Sequence, residues 1–288
     1  MEKFRPKLVL VPTDFSDLSS LALQYAHRLA KCFDAGLLVL YAEPFLPPVE
    51  FTSRQVADLV GELELSRQAA RQHLDKHVTA KLPGVASVET LVIDGRTVPA
   101  ILNTAREREA GLIVMGTHGR SGLSRVMLGS VTERVLREIE MPVLTVRPNP
   151  SSLGEASSIS KKILCPVNFT PIAQKALNHA VALAECFGAE LQVLHVDETG
   201  TARAMERKQK EELRRWIPEQ SRTHCQIQEV VKQGEAAVEI LKAVRSGGCD
   251  LIVLGVQHKR FFDSTVIGTT TVRVIRHAPC PVFAVVEK

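Results

Sequence analysis

The chain has 288 residues, 45% hydrophobic and 24% charged, which excludes a wholly disordered polypeptide and suggests about two domains. Its 36 basic and 32 acidic residues leave a net charge of +4 with no block of like charges, and only 5% is aromatic, so nothing suggests a nucleic-acid partner. No apolar run reaches the roughly 18–20 residues that span a bilayer, and the run from Leu8 to Pro12 is too short for a signal-peptide core, so a cytoplasmic protein is expected.

Short apolar runs alternate with amphipathic stretches. Leu8–Val11 reads as a strand buried on both faces. Ser16 is a candidate N-cap for a helix whose Leu18, Leu21, Ala22, Tyr25, Ala26 and Leu29 form one apolar stripe. Leu37–Tyr41, Val88–Ile93, Leu112–Met115 and Val143–Val146 read as further strands. Gly129 and Ser130 open a helix carrying Val131, Val135, Leu136 and Ile139. Then comes Pro148-Asn-Pro-Ser-Ser-Leu-Gly-Glu-Ala-Ser-Ser, a linker composition.

Beyond the linker the pattern returns. Pro12, Phe15, Ala22, Leu23, Cys32 and Phe33 recur 154 residues later as Pro166, Phe169, Ala176, Leu177, Cys186 and Phe187. Gly95, Ile101, Gly116, Gly129 and Pro142 recur 139 residues later as Gly234, Ile240, Gly255, Gly268 and Pro281. Two copies of one domain are therefore expected over 1–147 and 161–288, with 148–160 as linker. Strand–helix alternation predicts an α/β fold with a parallel sheet in each copy, and ligands in such sheets bind beyond the carboxyl ends of the strands.

Three features fall at those ends in the first copy. Asp14 follows the first strand, Tyr41-Ala42-Glu43 ends the second, and Gly116-Thr117-His118-Gly119 ends the fourth. Gly129-Ser130 at a helix start offers free N–H groups, a hydroxyl and the positive end of the helix dipole, which suit phosphate oxygens. Arg120 adds charge, and Asp14 is placed to accept from ribose hydroxyls. A glycine at a strand–helix turn is more often structural than functional, and an aspartate there is as often a cap. All three meeting at one edge is what points to a ligand site.

Gly116-x-x-Gly119, nine residues, then Gly129-Ser130 resembles the glycine signature of universal stress proteins. Val11-Pro-Thr-Asp-Phe-Ser16 and Met141-Pro-Val-Leu-Thr-Val146 resemble the same family, and the similarity covers nearly all of both copies. The resemblance implies two doubly wound domains, each a five-stranded parallel sheet of order 3-2-1-4-5, with the last strands pairing across a two-fold. It also implies an ATP site, with or without Mg2+. By position, Asp14 would meet the ribose and the Ala42 backbone the adenine. Pro12, Thr13, Met115 and Gly116 would line the nucleoside pocket, and His118, Gly119, Arg120, Gly129, Ser130 and Val131 the phosphates. A stress-response regulator that binds ATP is expected, with a slow ATPase or phosphotransferase, or a nucleotide-free interaction scaffold, as rival readings. A dimer of chains fits the family pattern.

The second copy departs. Asn168 stands for Asp14, and Gly255-Val-Gln-His258 lacks the second glycine and runs into Lys259-Arg260-Phe261-Phe262. Weak or no ATP binding is expected there. The chain has neither a P-loop nor a GxGxxG, and Gly119-Arg-Ser-Gly-Leu123 misses the nucleophile elbow by its last glycine. His73 and His77 share a helix face but lack a third ligand, and read as exposed histidines. The six cysteines form no CxxC pair and read as reduced, mostly buried thiols.

Overall fold

The computed structural model describes residues 4–43, 53–85, 87–119, 128–147, 161–199, 203–261 and 264–286. The linker expected at 148–160 lies outside them. In the first half, β1 (Leu8–Thr13), α1 (Asp17–Phe33), β2 (Gly36–Glu43), α2 (Ser53–Lys81), β3 (Glu89–Asp94), α3 (Thr97–Glu107), β4 (Leu112–Gly116), α4 (Ser130–Glu138) and β5 (Val143–Val146) follow one another. The second half repeats them as β6 (Lys162–Val167), α5 (Pro171–Phe187), β7 (Glu190–Asp197), α6 (Arg203–Trp216), β8 (Ile227–Gln233), α7 (Ala236–Gly247) and β9 (Leu251–Val256). Next come a hairpin of β10 (His258–Phe261) and β11 (Ser264–Ile267), then α8 (Thr269–His277) and β12 (Val282–Val286).

Each half is a doubly wound α/β unit of order 3-2-1-4-5. The first runs β3-β2-β1-β4-β5 and the second β8-β7-β6-β9-β12. The strands bury both faces, which is why they read as unbroken apolar runs. Val9 and Val11 point to the face covered by α1 and α2, whereas Leu10 points to the face covered by α3 and α4. Ser16 Oγ accepts from the Ser19 amide at 3.2 Å and Thr170 Oγ1 from the Ala173 amide at 3.4 Å, so both copies start their first helix with the same side-chain cap. At the other end Asp34 and Gly188 take the left-handed conformation that stops each helix.

The halves join through β5 and β12, which pair antiparallel while every other pairing within the large sheet is parallel. Leu144 faces Phe283, its own equivalent under the repeat, so a pseudo-two-fold axis passes through this pair. The result is one ten-stranded sheet. Phe4 crosses the junction and packs on His179 and Phe283, with ring centroids 4.4 and 5.5 Å apart. Arg276 of α8 reaches Glu133 of α4 at 3.6 Å. No described helix is long and apolar enough to cross a membrane.

Two expectations are corrected. The segment after β9, where the glycine loop of the first copy would lead one to expect a loop through Lys259 and Arg260, is a β-hairpin of His258–Phe261 with Ser264–Ile267. The cysteines are not uniformly buried and separate: Cys32 is exposed, Cys186 is half-buried, and their sulfurs lie within bonding distance of one another. The cause is symmetry, because equivalent residues near a two-fold axis meet.

Candidate functional site

Between β1 and α1 the chain must turn from strand to helix in three residues. Phe15 makes the turn with φ of 63°, a left-handed conformation that costs a non-glycine residue about 1–2 kcal/mol. The cost is offset locally. The Phe15 amide donates to Thr13 Oγ1 at 3.1 Å, and its ring is held by Tyr41, His73 and His77 at centroid distances of 4.7, 4.5 and 5.2 Å. The two histidines thus brace the turn. Among the described residues no group of three or more His, Cys, Asp or Glu is arranged to hold a metal.

This turn aims Asp14. Its Oδ1 accepts from the Ser16 amide at 3.1 Å and from Ser16 Oγ at 2.6 Å. Its Oδ2 lies against Gly119, where a Cβ would sit only 2.6 Å from that oxygen. The second glycine of the loop is therefore needed to admit the carboxylate. Gly116 has a different reason: a Cβ there would strike Leu18 of α1 at 2.8 Å. The first glycine makes room for packing, the second for the Asp14 carboxylate.

At the end of β4 the Gly129 amide donates to the Thr117 carbonyl at 2.7 Å, and Thr132 Oγ1 donates to the Gly116 carbonyl at 2.8 Å. These bonds hold the start of α4 over the strand end. Gly129, its N-cap, makes no side-chain cap, so the first-turn N–H groups are not satisfied that way. His118 Nδ1 lies 3.1 Å from Thr117 Oγ1. Burial, and then the charge of Arg147, hold its pKa below the ordinary value, so the imidazole is neutral at neutral pH. Arg147 directly follows β5, whose Val146 carbonyl accepts from the Thr117 amide at 3.0 Å. Its Nε and Nη2 are buried with no hydrogen-bond partner among the described residues, and burial lowers its pKa. The side chain is half-buried, and buried N–H groups of a guanidinium favour a nearby anion.

These elements enclose a cavity of about 260 Å3. Its wall brings together Pro12, Thr13, Asp14, Met115, Gly116, His118, Gly119, Gly129, Ser130 and Val131, with Ser19, Thr97, Ile101 and Thr132 in addition. Ala42 is not in the wall. It lies one strand away on β2, one residue past Tyr41, the register partner of Thr13. Arg120 lies outside the described residues.

The second half repeats the frame. Phe169 has φ of 59° and packs on His195 and Trp216, and Thr170 Oγ1 donates to Asn168 Oδ1 at 2.7 Å. A Cβ on Gly255 would come within 3.0 Å of Ile172, as one on Gly116 would meet Leu18. A cavity of about 270 Å3 is retained, walled by Asn168, Glu198, Gln257, Gly268 and Thr269–Thr271 among others. The Glu198 carboxylate accepts from the Ala236 amide at 2.9 Å and so closes the start of α7. Where the first half has its Gly119 loop, the second has the β10–β11 hairpin.

Fold and site together define a tandem doubly wound α/β protein with one glycine-loop cavity and one altered copy of it. The model of the universal stress protein family matches residues 6–147 and 160–286, and the chain belongs to that family. It is 34% identical over 141 residues to a universal stress protein of Methanocaldococcus jannaschii, covering 49% of this chain and 82% of that one. It is 23% identical over 299 residues to a universal stress protein of Mycolicibacterium smegmatis, covering 96% of each. The crystal structure of a universal stress protein from Archaeoglobus fulgidus shares the fold, with a TM-score of 0.71 at 22% identity over 98% of this chain and 99% of that one.

Proposed function

We propose that the first half binds ATP and that the chain is a nucleotide-dependent regulator of a stress response, with little or no ATP held by the second half. The observation that carries this reading is the contact of Asp14 Oδ2 with Gly119. It joins a fixed carboxylate, suited to ribose hydroxyls, to a glycine loop and a helix start whose N-cap glycine supplies no side-chain cap, suited to phosphates. Arg147 is not in the cavity wall, but its charge acts on the wall residue His118, which favours an anion on that side. Any Mg2+ would arrive on the phosphates. On the described wall the titratable side chains are Asp14 and His118. The first is engaged by Ser16 and the second sits between Thr117 and a cation, which supports binding over turnover.

The test is to denature the purified chain, quantify the released nucleotide, and titrate the refolded, nucleotide-free protein with ATP and Mg2+. About one ATP per chain, lost in Asp14→Ala, is expected. Two per chain would refute the weak second site, and none on either measurement would refute the nucleotide reading.

A further inference from the structure

Cys32 and Cys186 occupy the same position in the last turn of α1 and of α5, 154 residues apart. Those helices flank the pseudo-two-fold axis, so the two thiols meet. Their Cα atoms are 6.0 Å apart, inside the 4.4–6.8 Å window of disulfides. The other four cysteines differ. Cys165 and Cys280 are buried, with thiols pushed far above the ordinary range, and burial pushes Cys225 and Cys249 up to about 11. Those thiols hold few thiolates and are poor nucleophiles at neutral pH. Only the pair on the axis combines exposure of one member with a partner at bonding distance.

We propose that Cys32 and Cys186 form a reversible disulfide that staples the two halves of the chain together, a redox-responsive modification site separate from both cavities. A small disulfide such as glutathione disulfide suffices as oxidant. The Cys32 thiolate attacks one of its sulfurs and expels one glutathione thiolate. The Cys186 thiolate then attacks Cys32 Sγ and expels the second. Two protein thiols become one disulfide, the small disulfide is reduced to two thiols, and the two protein protons pass to the leaving thiolates. Asp14 and Asn168 lie at the opposite ends of α1 and α5, so the staple fixes the angle between the halves and leaves the cavity mouths open.

The full chain is equilibrated with glutathione disulfide or with reduced glutathione, then denatured and alkylated with N-ethylmaleimide. Intact mass is expected to show six labels after reduction and four after oxidation, matching the six cysteines of the chain and the four outside the pair. Peptide mapping should recover a Cys32–Cys186 linked peptide. The double variant Cys32→Ser/Cys186→Ser should take four labels in both buffers. The oxidised wild-type chain should melt roughly 5–10 °C above the reduced one, with no difference in the double variant. Six labels under oxidation, a bridge between other cysteines, a covalent dimer of chains, or equal melting temperatures would each overturn the proposal.

Discussion

The two halves share their sheet order, the strained phenylalanine after the first strand, the helix cap and a cavity of nearly the same size, about 260 and 270 Å3. They differ at a carboxylate against an amide and at a glycine loop against a hairpin. The cavity is thus a property of the fold, kept by packing contacts such as Gly116–Leu18 and Gly255–Ile172. On the proposed reading, what each cavity accepts is decided by a few atoms at its mouth. Retention of the frame in the second half says nothing about retention of the ligand.

The strongest way to break this contrast is Gly119→Val. The new side chain would occupy the place of Asp14 Oδ2, and ATP binding should fall by about 100-fold or more, because a charge-assisted contact of about 1.5–3 kcal/mol is lost and the loop is displaced. Gly119 is exposed, so the melting temperature should hold within a few degrees. Undiminished affinity by calorimetry would show that the loop does not carry the site.

The next effect separates the halves by pH. His179 stands where the first half has Tyr25, buried against Phe4 and Phe283, with Nδ1–H donating to the Lys175 carbonyl at 2.8 Å. Burial drives its pKa down to about 4 from 6.5. The unfolded chain therefore takes the proton first as pH falls. Stability is fully present above pH 6.5, drains away toward pH 4 and is constant with respect to this group below that. The loss is about 3 kcal/mol. Denaturant melts of His179→Gln should lack this part of the acid dependence; curves parallel to wild type would reject it.

Asp14→Asn makes the first mouth resemble the second in charge, and should weaken ATP binding about 30-fold, the worth of roughly 2 kcal/mol for a charged acceptor. The reverse change, Asn168→Asp, should create no second site, because the hairpin remains. A second equivalent of bound nucleotide in that variant would place the whole difference in one carboxylate. The smallest effect is expected for Arg147→Met: about tenfold weaker ATP binding with adenosine unaffected, because on the proposed reading the half-buried cation acts on phosphate through its charge. Equal losses for both ligands would make Arg147 a packing residue.

The repeat and the strand–helix alternation were legible in the sequence, because doubly buried strands such as Leu8–Val11 and Leu251–Val256 write themselves as unbroken apolar runs, whereas the sheet order was legible only through the family resemblance. Most of the cavity wall was legible too, through a motif with fixed spacing. What stayed hidden depends on distant residues. Phe15 is neither glycine nor asparagine, so nothing local announces its left-handed backbone. The contact between Asp14 and Gly119 needs β1 and β4 to be neighbours. Arg147 looks like any residue after a strand until its buried nitrogens are found without partners. The meeting of Cys32 and Cys186 was present as a repeat offset, but only a symmetry axis turns an offset into a contact.

The antiparallel joint of β5 and β12 has a mechanical consequence. Both strands are wholly buried, and each would become an open, apolar sheet edge if the halves were parted. Such an edge recruits any strand offered to it. A linker that holds the two edges at high local concentration keeps each supplied with its own partner and withheld from strangers. Cutting the chain between the halves would leave the pairing surface intact but remove that preference. Fragments would then exchange partners, and the second half could re-pair with a copy of itself, a combination that the intact chain suppresses.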